Sequence, residues 1–336
     1  MISYESIFKN MGESARAASL VLQQLPEERI NDVLRAMAQA LVTHTDRILE
    51  ANHKDMESAR DVVPDTMLDR LLLSKDRIEQ MAEGVRQVSL LASPVGSVLE
   101  SINRPNGLYI EKRAVPFGVI GIIFEARPNV TVDAGALCFK TANATILRGG
   151  KEAFNTNQVI VSIMQDVLEE HALPRLAIQL VEVLDREAVS VLLQQRRYID
   201  VIIPRGGAGL IQRVVQDSMI PVIETGSGVC HTYVDVDANL EMALDIAVNA
   251  KVQRPSVCNS METLLVHEGI AKEFLVALEK KLASHHITIH GTPEVLQIIK
   301  GIAVDEHSFS TEYNDFDLNV AIVSSLDDAI LHINRY

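Results

Sequence analysis

Residues 200–210 read Asp-Val-Ile-Ile-Pro-Arg-Gly-Gly-Ala-Gly-Leu, an apolar run that ends in a cluster of glycines. This order predicts a buried strand, a tight turn and the start of a helix. Backbone N–H groups in such a turn can approach an anion at the helix N-terminus, and Arg205 adds a positive charge beside them. An ordinary strand-to-helix turn would use the same glycines, because a loose glycine cluster is a weak signal of binding.

A second turn of this kind occurs at residues 146–151, which read Ile-Leu-Arg-Gly-Gly-Lys. It also follows an apolar run and precedes an amphipathic one. Parallel strands end at one carboxyl edge of a sheet, where such folds bind nucleotides, so two basic glycine turns favour binding more than one does. Neither turn matches the G-x-G-x-x-G pattern, and the common dinucleotide-binding fold is therefore not supported by motif.

The rest of the chain alternates apolar runs with longer amphipathic ones, which predicts a repeat of strands and helices. Strands joined by helices run parallel and are buried on both faces, so the expected fold class is α/β with doubly wound parallel sheets. In a first unit, strands are predicted at 118–124, 144–147, 177–183 and 200–203, with helices at 152–171, 187–195 and 209–217. In a second unit, which begins near Cys230, strands are predicted at 231–234, 263–266, 287–289 and 320–324, with helices at 239–251, 271–284 and 326–334.

Two segments precede this repeat. Between residues 3 and 92 apolar side chains recur every three or four residues, as at Val33, Met37 and Leu41, which predicts amphipathic helices. Residues 97–115 contain two alternating runs around Pro105-Asn106-Gly107, and Asn-Gly readily adopts the positive φ angles of a tight hairpin. We interpret this segment as a β-hairpin arm that projects toward another subunit.

Composition excludes several classes of function. A chain of 336 residues exceeds what one core usually organises, so two lobes are expected. The 45 acidic residues outnumber the 31 basic ones, which argues against nucleic acid and anionic membrane as partners. No apolar run reaches the roughly 18 residues of a membrane span, and there is no basic-then-apolar leader. The three cysteines fit neither a metal site nor a disulfide framework, so we expect a cytoplasmic protein with no metal.

One cysteine is a candidate nucleophile. Cys258 lies in Gln-Arg-Pro-Ser-Val-Cys-Asn-Ser-Met-Glu, a polar segment at 253–262 between a predicted helix and a predicted strand. A loop position gives access to substrate, and Arg254 would stabilise a thiolate and lower its pKa. A purely structural role remains the alternative at this point. Cys138 and Cys230 are interpreted as core residues.

Glu224 is the other candidate for chemistry. It follows the apolar residues 221–223 and precedes two glycines. Such a carboxylate can act as a general base or can cap the following turn, and the cap is the simpler interpretation.

Taken together, the blocks at 115–131, 143–153, 203–210, 221–228 and 252–266 resemble those of the γ-glutamyl phosphate reductases, of the aldehyde dehydrogenase superfamily, in their usual order. The resemblance runs over essentially the whole chain. It implies an aldehyde dehydrogenase-like α/β fold with two parallel-sheet lobes and a small β oligomerisation arm. A cofactor-binding domain would comprise residues 1–96 and 116–228, with the N-terminal helices as a preface. The arm would be 97–115 and the catalytic domain 229–336. Relatives normally continue for about half a domain more, so a shortened catalytic domain is expected.

The resemblance also implies a reaction. Cys258 would attack the acyl phosphate of L-glutamyl 5-phosphate, expel phosphate and form a thioester, which hydride from NADPH would reduce to L-glutamate 5-semialdehyde in proline biosynthesis. Implied partners are glutamate 5-kinase, as donor of the labile acyl phosphate, and further copies of the chain. A general NAD(P)-dependent aldehyde dehydrogenase and an inactive shortened homologue that acts as a binding protein are the competing hypotheses.

Site residues follow from the same resemblance. The oxyanion asparagine is expected near Asn129, with Arg127 or the Cys258 backbone N–H as alternatives, and Glu224 stands where hydrolytic relatives activate water. Val229 stands where an asparagine is expected. The remaining implied roles are cofactor binding by Arg148, Gly149, Lys151, Gly206, Gly207 and Glu312, and substrate binding by Arg127 and Arg254.

Overall fold

The computed structural model describes residues 3–63, 65–224, 226, 228–305 and 307–336. Contacts divide the chain into two units, residues 1–225 and 226–336. The sequence placed the corresponding boundary after residue 228. Each unit has its own hydrophobic cluster, so the two are described separately.

Helices begin the first unit. Ser3 and Ser74 cap two of them, because each side-chain hydroxyl accepts a hydrogen bond from the N–H three residues later. The apolar stripe that includes Val33, Met37 and Leu41 is fully buried, which confirms the predicted amphipathic helices. The helices are α1 (Tyr4–Leu22), α2 (Glu27–Thr43), α3 (Thr45–Ala59), α4 (Asp65–Leu71) and α5 (Lys75–Leu90).

A two-stranded hairpin follows, formed by β1 (Val98–Asn103) and β2 (Tyr109–Arg113) in antiparallel pairing. Gly107 adopts φ +86° in the turn, in the left-handed region that the Asn-Gly pair favours. Every residue of both strands is exposed. The hairpin therefore contributes nothing to the core of its own unit.

The first sheet has the strand order β5-β4-β3-β6, and all its strands are parallel. Its strands are β3 (Val119–Phe124), β4 (Ala144–Arg148), β5 (Ile178–Leu180) and β6 (Val201–Arg205). Its helices are α6 (Pro128–Lys140), α7 (Phe154–Glu170), α8 (Arg186–Leu192) and α9 (Ala208–Asp217). Helix α6 was not predicted from the sequence, because it is buried on most sides and lacks a polar face that would mark its period.

The second unit contains a parallel sheet in the order β10-β9-β11-β8-β7. The prediction of two parallel α/β sheets is thus confirmed. Its elements are β7 (Cys230–Val234), α10 (Leu240–Val252), β8 (Met261–His267), α11 (Glu268–Leu282), β9 (Thr288–Gly291), α12 (Pro293–Leu296), β10 (Ile302–Ala303), β11 (Asp317–Val323) and α13 (Leu326–Arg335). Across the described ranges, no helix is both long enough and apolar enough to cross a bilayer.

Candidate active site

Three strands of the first sheet end side by side. In the ladder, Ile123 pairs with Arg148 and Phe124 pairs with Arg205, so β3, β4 and β6 reach the same carboxyl edge. Both glycine turns start at these strand ends. The structure therefore brings the turn at 148–151 and the turn at 205–207 to one edge, where the sequence placed them.

Two of the predicted cofactor glycines have no room for a side chain. A Cβ atom on Gly149 would lie 2.3 Å from Asn157 Nδ2 and 3.1 Å from the Phe124 ring. A Cβ on Gly206 would lie 2.7 Å from Glu125 Cδ. Gly207 differs, since its nearest neighbour would be 3.8 Å away. Glycine at 149 and 206 is thus required by packing, apart from any role in binding.

Gly149→Ala is expected to destabilise the first unit by about 1–3 kcal/mol, because the added methyl overpacks a filled space. The measurement is thermal unfolding followed by circular dichroism. Gly209→Ala is the matched control, since its Cβ would have no atom within 4 Å and alanine suits the first turn of α9. Equal melting temperatures for the two variants would contradict this reading of the turn.

Glu125, directly after β3, is a functional candidate that the sequence analysis missed. Its Oε2 accepts a hydrogen bond from the Gly207 N–H at 3.2 Å, and its own N–H donates to the Arg205 carbonyl oxygen at 3.3 Å. A carboxylate therefore already occupies part of the α9 N-terminus, where an anion was expected. The available signal was an acidic residue immediately after a fully apolar strand.

A cavity of about 670 Å³ opens at this sheet edge. Its volume falls in the range of small-molecule and cofactor sites. Lys151 is exposed at its rim, whereas the Arg148 guanidinium donates to the Leu184 carbonyl oxygen at 3.0 Å and so ties two loops together. Lining residues that carry charge are Glu125, Arg148, Lys151, Glu152, Asp185 and Arg213.

The remaining predicted residues of the first unit lie at the start of α6 and beyond the end of β6. Asn129 is in the first turn of α6, and its Nδ2 donates to Asp133 Oδ2 at 3.1 Å. The Arg127 N–H donates to the Glu125 carbonyl oxygen at 2.7 Å, which tightens the turn before the helix. Glu224 is exposed beyond the bridge between Ile202 and Val222. The Asn129 amide is thus engaged within its own helix, and its oxyanion role stays a prediction.

Cys258 lies in the second unit, on the loop between α10 and β8. The loop is held by two local bonds, from the Val257 N–H to the Arg254 carbonyl oxygen at 3.3 Å and from the Ser260 N–H to the Val257 carbonyl oxygen at 3.0 Å. Ser256 and Ser260 are each only 3% exposed, whereas Cys258 is exposed. The loop therefore buries its serines and presents its cysteine. Arg254 is also exposed.

A buried ion pair joins the two ends of this loop, and the sequence analysis did not anticipate it. Lys251 Nζ lies 3.0 Å from Glu262 Oε2, and both side chains are at most 1% exposed. Glu262 Oε1 also accepts the Asn314 N–H at 3.1 Å. Burial raises the pKa of the Glu262 carboxyl, while Lys251 acts in the opposite direction. The pair fixes both ends of the loop and connects it to the segment that contains Glu312, a half-buried residue.

The interpretation of Cys230 as a core residue is wrong. It is only partly buried, and its Sγ donates to the Cys258 carbonyl oxygen at 3.3 Å. Burial, and then the Cys258 thiol, raise the pKa of Cys230. Cys138 behaves as predicted, since it is 5% exposed and burial raises its pKa to about 11.

Two histidines next to this region form an aromatic cluster. The rings of His231, on β7, and His332, on α13, meet edge to face at 5.3 Å, and Phe309 and Tyr336 also pack on His332. Both Nε2 atoms are buried, with no hydrogen-bond partner among the residues described. Burial lowers the pKa of His332 to about 4 and also lowers that of His231.

The second unit is expected to lose stability as the pH falls from about 6.5 to about 4. In this window the unfolded chain, with an ordinary histidine pKa, binds a proton that folded His332 does not, so protonation favours unfolding. His332→Phe keeps the ring packing and should flatten the loss between pH 7 and pH 5 in thermal unfolding. Parallel pH profiles for the variant and the parent chain would refute the assignment to His332.

No group of three metal-ligating side chains occurs within the part of the chain that the structure describes. The predicted site residues fall into two sets. In the first unit the two glycine turns meet at one sheet edge, beside a cavity lined by three acidic and three basic side chains. In the second unit Arg254 lies on the same loop as the exposed Cys258, and Glu312 lies in the segment that contacts Glu262.

Comparisons with known proteins show the family of this chain. The chain belongs to the aldehyde dehydrogenase family, whose sequence model matches residues 4–296. Its relatives include the gamma-glutamyl phosphate reductases of Enterococcus faecalis, 48% identical over 98% of this chain and 79% of the relative, and of Moorella thermoacetica, 50% identical over 97% and 78%. The crystal structure of the gamma-glutamyl phosphate reductase from Thermotoga maritima superposes with a TM-score of 0.87, with 39% identity over 98% of this chain and 80% of that one. The resemblance inferred from the sequence blocks is thereby confirmed.

Proposed function

We propose that this chain reduces L-glutamyl 5-phosphate to L-glutamate 5-semialdehyde, with release of phosphate, in proline biosynthesis. The observation that carries the proposal is the exposed Cys258 on a braced loop, in a chain about half identical to relatives named gamma-glutamyl phosphate reductase. Thiolate attack on an acyl phosphate needs an accessible sulfur and a fixed loop, and these residues supply both.

The reaction begins at Cys258. Its sulfur attacks the acyl carbon, the bond to the phosphate oxygen breaks, and a thioester remains on the protein. In this proposal the Cys258 backbone N–H shares the developing oxyanion charge, with Arg127 and Asn129 as the further candidates. Arg254 and Arg127 would bind the carboxylate and phosphate of the doubly anionic substrate. Glu224 has no required step, because the acyl group is reduced rather than hydrolysed.

The edge of the first sheet fits a nicotinamide dinucleotide. Gly149 and Gly206 keep the two turns at the strand ends free of side chains, and the adjoining cavity carries Arg148 and Lys151. When bound, the cofactor supplies the hydride that reduces the thioester to the aldehyde. In this proposal Gly207 lies under the cofactor and Glu312 holds the ribose next to the nicotinamide.

The cofactor is NADPH in this proposal, because Lys151 stands exposed at the cavity rim where a 2′-phosphate needs a cation. Lys151→Ala is expected to raise the KM for NADPH by roughly 10-fold or more, and the KM for NADH far less. Steady-state kinetics with both cofactors measure the split. Lys75→Ala, at the start of α5, is the control for a lost surface charge. An equal rise in the KM for NADPH and for NADH would show that Lys151 does not bind the 2′-phosphate.

The overall reaction is tested in reverse. Purified protein with NADP⁺, phosphate and glutamate semialdehyde should reduce the cofactor, and the rate should depend on phosphate. A phosphate-independent rate would instead identify a general aldehyde dehydrogenase that forms the free acid. Cofactor binding without turnover would favour the inactive homologue.

The exposed hairpin supports a homo-oligomer. Leu99 and Tyr109 are 62% and 56% exposed, and apolar strand faces of this kind are usually covered by a partner. We therefore propose that residues 97–115 form an oligomerisation arm. Direct transfer of the acyl phosphate from glutamate 5-kinase and a cytoplasmic location complete the proposal.

A further inference from the structure

Two thiols of the second unit lie close together. The Cys230 Sγ lies 3.3 Å from the Cys258 carbonyl oxygen. A carbonyl oxygen is about 2.4 Å from its own Cα, so the Cys230 sulfur lies within about 6 Å of the Cys258 Cα. Disulfides form between residues whose Cα atoms are about 4.4–6.8 Å apart. The distance found here joins a sulfur to a Cα, so a local movement of the Cys258 loop is still needed to bring the two sulfurs to the roughly 2.05 Å of a disulfide bond.

Both residues occupy backbone that can make that movement. Cys230 is the first residue of β7, and the pairing with β8 shifts register between Cys230 and His231. Cys258 lies in a loop of turns between α10 and β8. Neither cysteine is held on both sides by regular strand pairing, unlike a residue in the middle of β8.

We propose that Cys230 and Cys258 form a reversible disulfide when a hydroperoxide oxidises the nucleophile. The Cys258 thiol reacts with hydrogen peroxide to give a sulfenic acid and water. The Cys230 sulfur then attacks the sulfenic sulfur, the S–O bond breaks, and the departing hydroxyl takes the Cys230 proton to leave as a second water. In total, two thiols lose two electrons and two protons, and one peroxide is reduced to two waters.

The surroundings of the two thiols assign the order of these events. Cys258 is exposed and meets the oxidant first, whereas Cys230 is partly buried. Burial, the Cys258 thiol and the carboxylates of Glu262 and Glu312 raise the pKa of Cys230, which makes it the less reactive of the two thiols toward the oxidant. The disulfide blocks further oxidation of Cys258 to sulfinic acid, which is irreversible. This protection matters because Cys258 is the nucleophile, so the inference rests on the proposed function.

The test is peptide mapping after peroxide treatment. Free thiols are alkylated during denaturation, and trypsin then places Cys138, Cys230 and Cys258 in three different peptides, since cleavage after Lys251 separates the last two. The expected product is one linked pair, residues 214–251 with 252–272, that dithiothreitol releases. Absence of this pair, or equal linkage to the Cys138 peptide, would overturn the proposal.

Activity gives a second readout. Peroxide inactivation should be reversed by dithiothreitol in the parent chain, and most of it should become irreversible in Cys230→Ser, which keeps a hydrogen-bond donor to the Cys258 carbonyl. Cys138→Ser is the matched control and should recover like the parent. Full recovery of Cys230→Ser would also overturn the proposal. The peptide map needs no turnover, so a linked pair in a protein without reductase activity would uphold the disulfide and reject the proposed reaction.

Discussion

Cys258→Ala should lower the phosphate-dependent reduction of NADP⁺ by glutamate semialdehyde by roughly 10⁴-fold or more, because it removes the sulfur that forms the thioester in the proposed reaction. The structure gives this variant little reason to misfold, since Cys258 is exposed and its neighbours Ser256 and Ser260 provide the buried contacts of the loop. The measurement is the initial rate at saturating cofactor and phosphate, together with the circular dichroism spectrum.

Cys138→Ala is the matched control for this experiment. It removes the buried thiol of α6 and should retain most of the activity, with a modest loss of stability from the small cavity. A Cys258→Ala protein that keeps even a tenth of the parent rate would contradict a covalent mechanism at this sulfur. Loss of cofactor binding in the same variant would point to a folding defect instead.

Lys251→Met should destabilise the second unit by about 3–5 kcal/mol, because it leaves the buried Glu262 carboxylate without its partner. For a unit of this size that corresponds to a fall in melting temperature of about 10–20 °C. Thermal unfolding by circular dichroism measures the fall. The rate at which iodoacetamide alkylates Cys258 should change as well, because the loop loses the bond between its two ends.

The double variant Lys251→Met/Glu262→Gln separates charge from packing. Glutamine carries no charge and can still accept a hydrogen bond from the Asn314 N–H. The double variant should therefore regain at least about half of the stability that Lys251→Met loses. A single variant as stable as the parent chain would show that the ion pair does not brace the loop. A double variant no better than the single one would assign the loss to packing around the lysine stem.

The fold was largely predictable because most of its helices, strands and turns are indicated by patterns within short stretches of sequence. Strand-to-helix order, the Asn-Gly hairpin and both glycine turns depend on residues that are neighbours in sequence, and all three appear where they were expected. Helix α6 was not predicted, because its sequence lacks such a local pattern. Being covered on most sides, it shows no contrast between an apolar and a polar face.

Site residues were predictable only where a reactive residue type lies in a short segment that itself indicates an accessible loop or turn. Cys258 was found from its loop. Cys230 was wrongly assigned to the core, because its contact with a residue 28 positions later cannot be read from the local sequence. The Glu125 contact with Gly207 and the Lys251 contact with Glu262 are likewise made by the tertiary fold. No pattern of spacing encodes such pairs, so single-sequence reasoning does not reach them.

The hairpin of β1 and β2 is a two-stranded sheet with both faces in solvent, and such hairpins are marginally stable alone. The protection of its amides against deuterium exchange should therefore come from whatever surface covers it. Exchange at residues 98–113 should quicken on dilution, while exchange in the buried strand β3 stays slow. The arm would then act as an internal gauge of how much of the protein is assembled at any concentration.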